Sequence, residues 1–246
     1  MVLLFPVNGT GGRFKRAGYT IPKPLLPVHG KPLLLQASEM YPLSYSRAFV
    51  LSWALPIQVI EVLSARYKDY ITFIVRQETS GPLETLLLCN LTAEIDKNES
   101  VMICDCDSWI ATQEIDHVVR EFERSACEAG VTYRTVLNSN RALSYVKLDD
   151  AGQHVEESRE KDAFTTTSST GPYWFRTLDI FLRYGRQALD SGDTSIAPVF
   201  NHIISAGGKV RAIPVGTFVH LGTPKEYEEY CAQHSPADLQ STRPPR

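Results

Sequence analysis

A run of small residues follows the first apolar stretch of the chain: Asn8-Gly9-Thr10-Gly11-Gly12-Arg13-Phe14-Lys15-Arg16. Clustered glycines after a strand let backbone N–H groups converge with no side chain in the way, which is how a loop approaches phosphate. A dinucleotide fingerprint needs a third glycine where Phe14 stands, and a Walker A loop needs Gly-Lys-Ser/Thr at fixed spacing, so both fail. What remains is Gly9-x-Gly11-x-Arg13, with a second cation, Lys23, in Pro22-Lys23-Pro24-Leu25-Leu26. A second constellation lies where the apolar run Val101-Met102-Ile103-Cys104 meets Asp105-Cys106-Asp107-Ser108-Trp109. Strand alternation puts Asp105 and Asp107 on one face. Two carboxylates that close repel unless a cation or hydrogen bonds compensate, and Mg²⁺ held by one or two carboxylates plus phosphate oxygens is the natural cation.

The elements that must position these groups are legible as alternating β-type runs and helical periods. Strands are expected at Val2–Val7, Ala48–Trp53, Ile71–Val75, Val101–Cys104, Val131–Leu137, Tyr145–Leu148, Tyr173–Arg176 and Val210–Pro214. Helices are expected at Pro56–Tyr67, about Gln113–Arg124 with Thr112 as N-cap, Asp179–Leu189, Ala197–Ala206 and Pro224–Gln233. The spacing of Ile115, Val118, Val119 and Phe122 marks one buried helix face. Gly207-Gly208 is the expected stop of the fourth helix, and Asp149-Asp150-Ala151-Gly152 a turn between strands. Strands alternating with helices predict an α/β three-layer sandwich on a twisted, mostly parallel mixed sheet, whose ligands bind at the carboxyl ends of the strands. Residues 1–234 read as one domain, and the polar, proline-containing stretch Ser235–Arg246 as a frayed tail.

Composition sets limits on function. The chain has 246 residues, 43% of them hydrophobic, and a formal net charge of −3, so it offers no basic footprint for nucleic acid. No apolar run approaches the ~20 residues of a membrane span. Met1 to Val7 lacks the preceding positive charge and cleavage site of a signal peptide and reads as a strand. The five cysteines show no zinc or CxxC spacing, which fits reduced thiols in a cytoplasmic protein.

Gly9-x-Gly11-x-Arg13, Pro22-Lys23-Pro24-Leu25-Leu26-Pro27-Val28 and Gly30-Lys31-Pro32-Leu33 together resemble the N-terminal signature of the sugar-phosphate nucleotidylyltransferases. The Arg13-Phe14 and Ala17-Gly18-Tyr19 details resemble a bacterial capsule and surface-polysaccharide subgroup that includes a phosphoglutamine cytidylyltransferase. The resemblance implies a nucleotide-diphospho-sugar transferase (GT-A-like) fold. It also implies a loop of Asn8, Gly9, Gly11 and Gly12 around the triphosphate, Arg13 on the β- and γ-phosphates and Lys23 on the α-phosphate. Such transfers need charge neutralisation and in-line positioning more than covalent help, and a guanidinium fork beside an ammonium point charge suits them. Lys15 and Arg16 read as solvated neighbours.

Further motifs extend the resemblance. Gln77-Glu78-Thr79-Ser80-Gly81-Pro82-Leu83-Glu84-Thr85 is similar to the family's Gly-x-x-Glu-Thr segment, which implies Gly81, and less directly Gln77, at the nucleotide base. Glu160-Lys161 resembles the family's Glu-Lys motif, whose lysine holds the acceptor's phosphate, and Gly171-Pro172-Tyr173-Trp174-Phe175 resembles the Gly-x-Tyr-x-Phe strand that follows it, which implies Glu160, Lys161 and Gly171 at the acceptor. Asp107 matches the metal-binding aspartate. His220-Leu221-Gly222-Thr223-Pro224 matches Asp-x-Gly-Thr-Pro, with His220 in place of the second ligand. Three readings stay open: His220 ligates the metal, for which Mn²⁺ suits imidazole better than Mg²⁺; Asp105 supplies the missing carboxylate; or catalysis is impaired.

The resemblance implies an Mg²⁺-dependent transfer of a nucleoside monophosphate from CTP, UTP or dTTP to a sugar 1-phosphate or another small phosphometabolite, releasing pyrophosphate. Neither nucleic acid nor membrane is expected as a partner, and self-association into a homo-oligomer is left open. Two rivals remain, a GT-A glycosyltransferase consuming a sugar nucleotide and a non-catalytic regulatory homologue. The Asp-x-Asp pair does not separate the first from a nucleotidylyltransferase; the Pro22-Lys23-Pro24 segment does.

Overall fold

Val2–Val7 is buried along almost its whole length, and its side chains feed two cores on opposite faces. Leu3, Phe5 and Val7 join one cluster and Val2 and Leu4 the other, the pattern of an inner strand covered on both sides. This strand is β1 of a computed structural model that describes residues 1–9, 11–136, 143–234 and 236–242. The strands that follow are β2 (Pro27–Val28), β3 (Lys31–Pro32), β4 (Ser46–Ser52), β5 (Ile71–Val75), β6 (Val101–Ile103) and β7 (Ser108–Trp109). The second half adds β8 (Ala129–Thr135), β9 (Ser144–Leu148), β10 (Val155–Glu160), β11 (Thr167–Phe175), β12 (Val210–Pro214) and β13 (Val219–His220).

Nine of these strands form one sheet in the order β10-β9-β11-β6-β1-β4-β5, with β8 paired to β11 and β12 to β8. β1 runs parallel to β4 and β6, β4 to β5, and β12 to β8, whereas β11 opposes β6, β8 and β9, and β10 opposes β9. Only β10 and β11 therefore run against the common direction, and the α/β sandwich on a mostly parallel mixed sheet is as expected. Helices Gln58–Arg66, Thr112–Arg124 and Pro224–His234 bury Val59, Leu63, Ile115, Phe122 and Tyr227 in one cluster. Helices Pro82–Leu87, Leu178–Asp190 and Val199–Ser205 bury Leu83, Phe181 and Phe200 in the other. None of the described helices is long and apolar enough to cross a membrane.

Helix Thr112–Arg124 buries Ile115, Val118, Val119 and Phe122 as the period predicts, but Ala111 is its N-cap and Thr112 is already helical. In its first turn Glu114 accepts from the backbone N–H groups of Gly216 and Thr217 at 2.6 and 2.9 Å. The fourth expected helix stops as read, with Gly207 at φ 84° and Gly208 N–H donating to Ile203 O at 2.9 Å. Strand β11 starts well before the expected Tyr173–Arg176 because Ser168, Ser169 and Thr170 of its polar half are buried against β8 and β9. The expected strand Val131–Leu137 lies at Ala129–Thr135, and Leu137 falls outside the described residues. Strand β10 carries Glu156, Glu157, Arg159 and Glu160 and shows no apolar alternation, since it is the charged edge of the sheet.

The stretch expected as a frayed tail differs in part. Pro236–Thr242 forms a helix, with Thr242 buried and its hydroxyl 3.3 Å from Tyr227 Oη. Asp238 accepts from Gly30 N–H at 3.0 Å, which ties this helix to the β2–β3 turn.

Candidate active site

The loops after β1, β4, β5 and β6 all leave the sheet at the carboxyl ends of parallel strands, and together they line one cleft of about 640 Å³. Asn8, Gly9, Gly11 and Gly12 come from the first loop, Trp53 from the second, Gln77 and Gly81 from the third, and Asp105 and Asp107 from the fourth. Asn8 is anchored rather than free: its amide donates to Thr79 Oγ1 at 2.9 Å, joining the first loop to the third. Gly11, at φ 63°, caps the short helix Gly12–Arg16, and this left-handed backbone is what a glycine is needed for there. Arg13 points to solvent at the cleft wall.

Lys23 reaches the same cleft from the turn Lys23–Leu25. Pro22 and Pro24 restrict its backbone on both sides, and Leu25 N–H bonds back to Pro22 O at 2.8 Å. Its ammonium lies 5.5 Å from the centre of the buried Phe14 ring and is salt-bridged to Asp107 Oδ2. Burial alone would lower the pKa of Lys23, but Asp107, Cys106 and Asp105 reverse this and raise it, so the side chain is a firm cation.

The two aspartates lie beyond the strand, not on it: β6 ends at Ile103, and the residues after it form a turn into β7. Their proximity is therefore set by the loop, where alternation does not apply. Burial pushes the Asp105 carboxyl up to about 6, helped by the charge of Asp107 and opposed by His220, Lys23 and Ser108. Asp107 feels the same burial but moves down, because Lys23 and His220 outweigh it. One carboxylate is thus held ionised and the other is left short of positive charge. That imbalance, on hard oxygen donors facing an open cleft, fits a divalent cation. Asp105 titrates higher folded than unfolded, so the stability it contributes is full below about pH 4 and is lost as the pH rises through about 6. Asp105→Asn is expected to raise the Tm of the metal-free protein at pH 7.5 and to leave it nearly unchanged at pH 4, as read by calorimetry at both values.

A second cavity of about 340 Å³ adjoins the first and shares its Arg13, Lys23, Gly81, Asp105 and Asp107 wall. Glu160, Lys161, Gly171 and His220 line it, so every residue singled out in the sequence borders one of the two spaces. Lys161 has a left-handed backbone, φ 56°, uncommon for a residue with a side chain, and its N–H is held by Leu143 O at 3.0 Å. Glu160 accepts from Ser144 Oγ. Gly171 sits at the register shift of β11 with φ 47°, and a Cβ there would meet Asp105 Oδ2 at 2.8 Å. The β11 irregularity therefore presses the second cavity against the acidic pair.

Gly81 has a different reason for being glycine. Its φ of 175° suits any residue, but a Cβ would lie 2.3 Å from the backbone oxygen of Thr194. Gly81→Ala is expected to cost about 1–3 kcal/mol by overpacking, read as a lower urea midpoint with an unchanged m-value. An unchanged midpoint would show that the 194 segment yields freely. Gln77 is exposed at the cleft margin.

The protein-family model described as Nucleotidyl transferase matches residues 7–235. The chain belongs to the nucleotidyl transferase family. Its activity is accordingly of the nucleotidyltransferase type, EC 2.7.7. A comparison with curated proteins finds no match. Among solved structures it is similar to a nucleoside-diphosphate-sugar pyrophosphorylase from Vibrio cholerae RC9, at TM-score 0.78 and 21% identity over 95% of this chain and 100% of that one. The inositol-1-phosphate CTP transferase from T. maritima gives TM-score 0.76 and 12% identity, covering 98% and 97%. A UDP-glucose pyrophosphorylase complexed with UDP-glucose gives 0.73 and 18%, covering 96% and 98%. At these identities the likeness is one of fold.

In this nucleotidyl transferase His220 lies on β13, which pairs with β7 and so borders the acidic loop; Leu221 N–H donates to Asp107 O at 2.9 Å. His220 Nδ1 is 3.3 Å from Glu226 Oε1. A carboxylate only accepts, so Nδ1 carries the proton and Nε2 is left for other duties. Burial lowers the pKa of His220, but Glu226, Asp107 and Asp105 together raise it. Glu226 was not among the residues singled out, although Thr223-x-x-Glu226 is a legible capping box. Glu226 Oε2 accepts from Thr223 N and Oγ1 at 2.9 Å each, and Glu226 N–H returns to Thr223 Oγ1 at 3.3 Å. One carboxylate thus caps helix Pro224–His234 and orients the imidazole. Gly222 is needed beside it, since a Cβ there would fall 2.3 Å from the ring.

Proposed function

We propose that this nucleotidyl transferase moves a nucleoside monophosphate from an NTP to the phosphate of a small acceptor and releases pyrophosphate. The observation that carries the reading is the common wall of the two cavities, in which Arg13, Lys23, Asp105 and Asp107 stand between a nucleotide-sized cleft and a smaller space edged by Lys161. In this reading a phosphate oxygen of the acceptor attacks the α-phosphorus in line. The bond from that phosphorus to the oxygen bridging to the β-phosphate breaks, and pyrophosphate leaves with the electron pair. A phosphate monoester has a second pKa of about 6 and is already a nucleophile at neutral pH, so no general base is called for. Lys23 neutralises the α-phosphate, Arg13 grips the departing β- and γ-phosphates, and the N–H groups of the Gly9–Gly12 loop wrap the chain of phosphates. Gln77 and Gly81 border the base. Glu160, Lys161 and Gly171 receive the acceptor.

Asp107 and Asp105 are the residues that would hold Mg²⁺, or Mn²⁺ with the imidazole of His220; among the described residues no three acidic, histidine or cysteine side chains converge as a ready-made metal cluster, so phosphate oxygens would complete the set. Bound there, the cation would offset phosphate charge and free Lys23 from its partner Asp107. The names of the similar structures, a UDP-glucose pyrophosphorylase and an inositol-1-phosphate CTP transferase, support a pyrimidine NTP and a sugar or polyol phosphate. The Ala17-Gly18-Tyr19 likeness supports a narrower reading, precursor synthesis for a surface polysaccharide in the cytoplasm, with a phosphoamino acid as another acceptor class.

The test is pyrophosphate release with Mg²⁺ or Mn²⁺ across CTP, UTP, dTTP, ATP and GTP, against sugar 1-phosphates, polyol phosphates and phosphoglutamine. Release with one NTP–acceptor pair is the expected result and names both substrates. Release of a nucleoside diphosphate from a sugar nucleotide, with none from triphosphates, would overturn it in favour of glycosyl transfer. NTP binding with no turnover on any acceptor would instead mark a binding protein.

A further inference from the structure

The chain has three tryptophans, and two of them, Trp109 and Trp174, are 9% and 2% exposed, but Trp53 is 65% exposed. It is not on a loose segment. Its N–H donates to Val75 O at 3.0 Å, and Leu55 N–H closes a turn on Ser52 O at 3.1 Å, so its backbone is pinned to the carboxyl ends of β4 and β5. From there Trp53 lines the nucleotide cleft and also an apolar groove continuing from it over Leu55, Ile57 and Ile74. Arg13, Lys23, Asp105 and Asp107 line both the cleft and the acceptor space, whereas Trp53 and Glu78 border the cleft and not that space. A nucleotide with its phosphates at the shared wall must extend its base away from the acceptor cavity, along the walls that the β4 and β5 loops supply.

We propose that the Trp53 indole is the stacking platform for the base of the bound NTP, an inference that rests on the nucleotide-site reading above. An aromatic face stacks on any base, so Trp53 supplies affinity for the nucleoside without choosing it, and choice is left to hydrogen-bonding groups such as Gln77. The platform acts on binding of NTP and on no step of the transfer.

Equilibrium dialysis of the full chain with labelled NTP, alongside inorganic tripolyphosphate as a base-free probe, tests this. Trp53→Ala is expected to weaken every NTP by a similar factor, about 5- to 150-fold, while tripolyphosphate binds as to wild type. Trp53→Phe keeps an aromatic face and should stay within about threefold of wild type. Acrylamide quenching of tryptophan fluorescence in the wild type should fall on adding NTP but not tripolyphosphate, since the other two indoles are buried. NTP binding by Trp53→Ala as tight as by wild type, or quenching indifferent to NTP, would overturn the platform and leave the nucleotide site standing. A wild-type chain that binds neither NTP nor tripolyphosphate would overturn both.

Discussion

Asp107→Asn is expected to lower pyrophosphate release by about a thousandfold, in kcat far more than in KM for the NTP, while the protein remains folded. The substitution keeps the shape of the side chain and removes one negative charge. That charge is the one the site holds most firmly ionised, with Lys23 salt-bridged to it and His220 adding to the effect against the burial that works the other way. An amide at position 107 lacks the charge that holds a divalent cation, and it releases Lys23 to pair with Asp105, which already contributes to raising the Lys23 pKa. Both changes strip positive charge from the place where the α-phosphate would develop negative charge, and a thousandfold loss corresponds to about 4 kcal/mol, within what one such electrostatic group contributes. The fold should tolerate it, because the Asp105 carboxyl loses its repulsive neighbour at the same time. Steady-state kinetics of the variant decide the matter, with calorimetry as the folding control. Wild-type turnover would remove Asp107 from the machinery.

Phe5→Ala carries the largest expected effect on stability, about 3–5 kcal/mol and a fall in Tm of roughly 10 °C. Phe5 is fully buried on β1, stacked on Phe49 of β4 at 5.0 Å between ring centres and edge-on to Tyr41 at 6.1 Å. Its removal leaves a ring-sized void between the sheet and the helical layer that carries Val59 and Leu63, whose neighbours are themselves large and held by further rings such as Tyr67 on Phe49. Collapse into that void is resisted because β1 is hydrogen-bonded on both sides, to β4 and to β6. Urea unfolding measures the loss, and a destabilisation below about 1 kcal/mol would mean the core repacks around the gap. The same strand delivers Asn8 to the cleft, so the variant should also bind NTP more weakly at temperatures near its new midpoint.

The inner strands and the amphipathic helices were legible because each is encoded by its own residues. Val2–Val7 is apolar on both faces, and Ile115, Val118, Val119 and Phe122 repeat at the helical period, so no distant partner is needed to read them. The chemistry-bearing residues were legible for a related reason, since a glycine-rich loop after a strand and a pair of carboxylates at a strand end state their chemistry in a few consecutive positions. Strand β10 was not, because a charged edge strand is a strand only by virtue of its partner β9. Nor was the helix at Pro236–Thr242, whose polar sequence is ordered by Tyr227 and the β2–β3 turn.

The site itself was assembled by contacts across long stretches of chain. Lys23 meets Asp107 from 84 residues away, and Asn8 meets Thr79 from 71. Gly81 lines the cleft, and the side on which a Cβ would stand is filled by the Thr194 carbonyl, while the corresponding side of Gly171 faces Asp105. The sequence by itself determined the kinds of element, the types of charge and the loop that can approach phosphate, because propensity, period and side-chain chemistry are properties of neighbouring residues. Only the tertiary structure decided that those charges form the common wall of two cavities, that Glu226 orients His220, and that one indole stays exposed at the cleft, because these depend on which strand ends the sheet brings side by side.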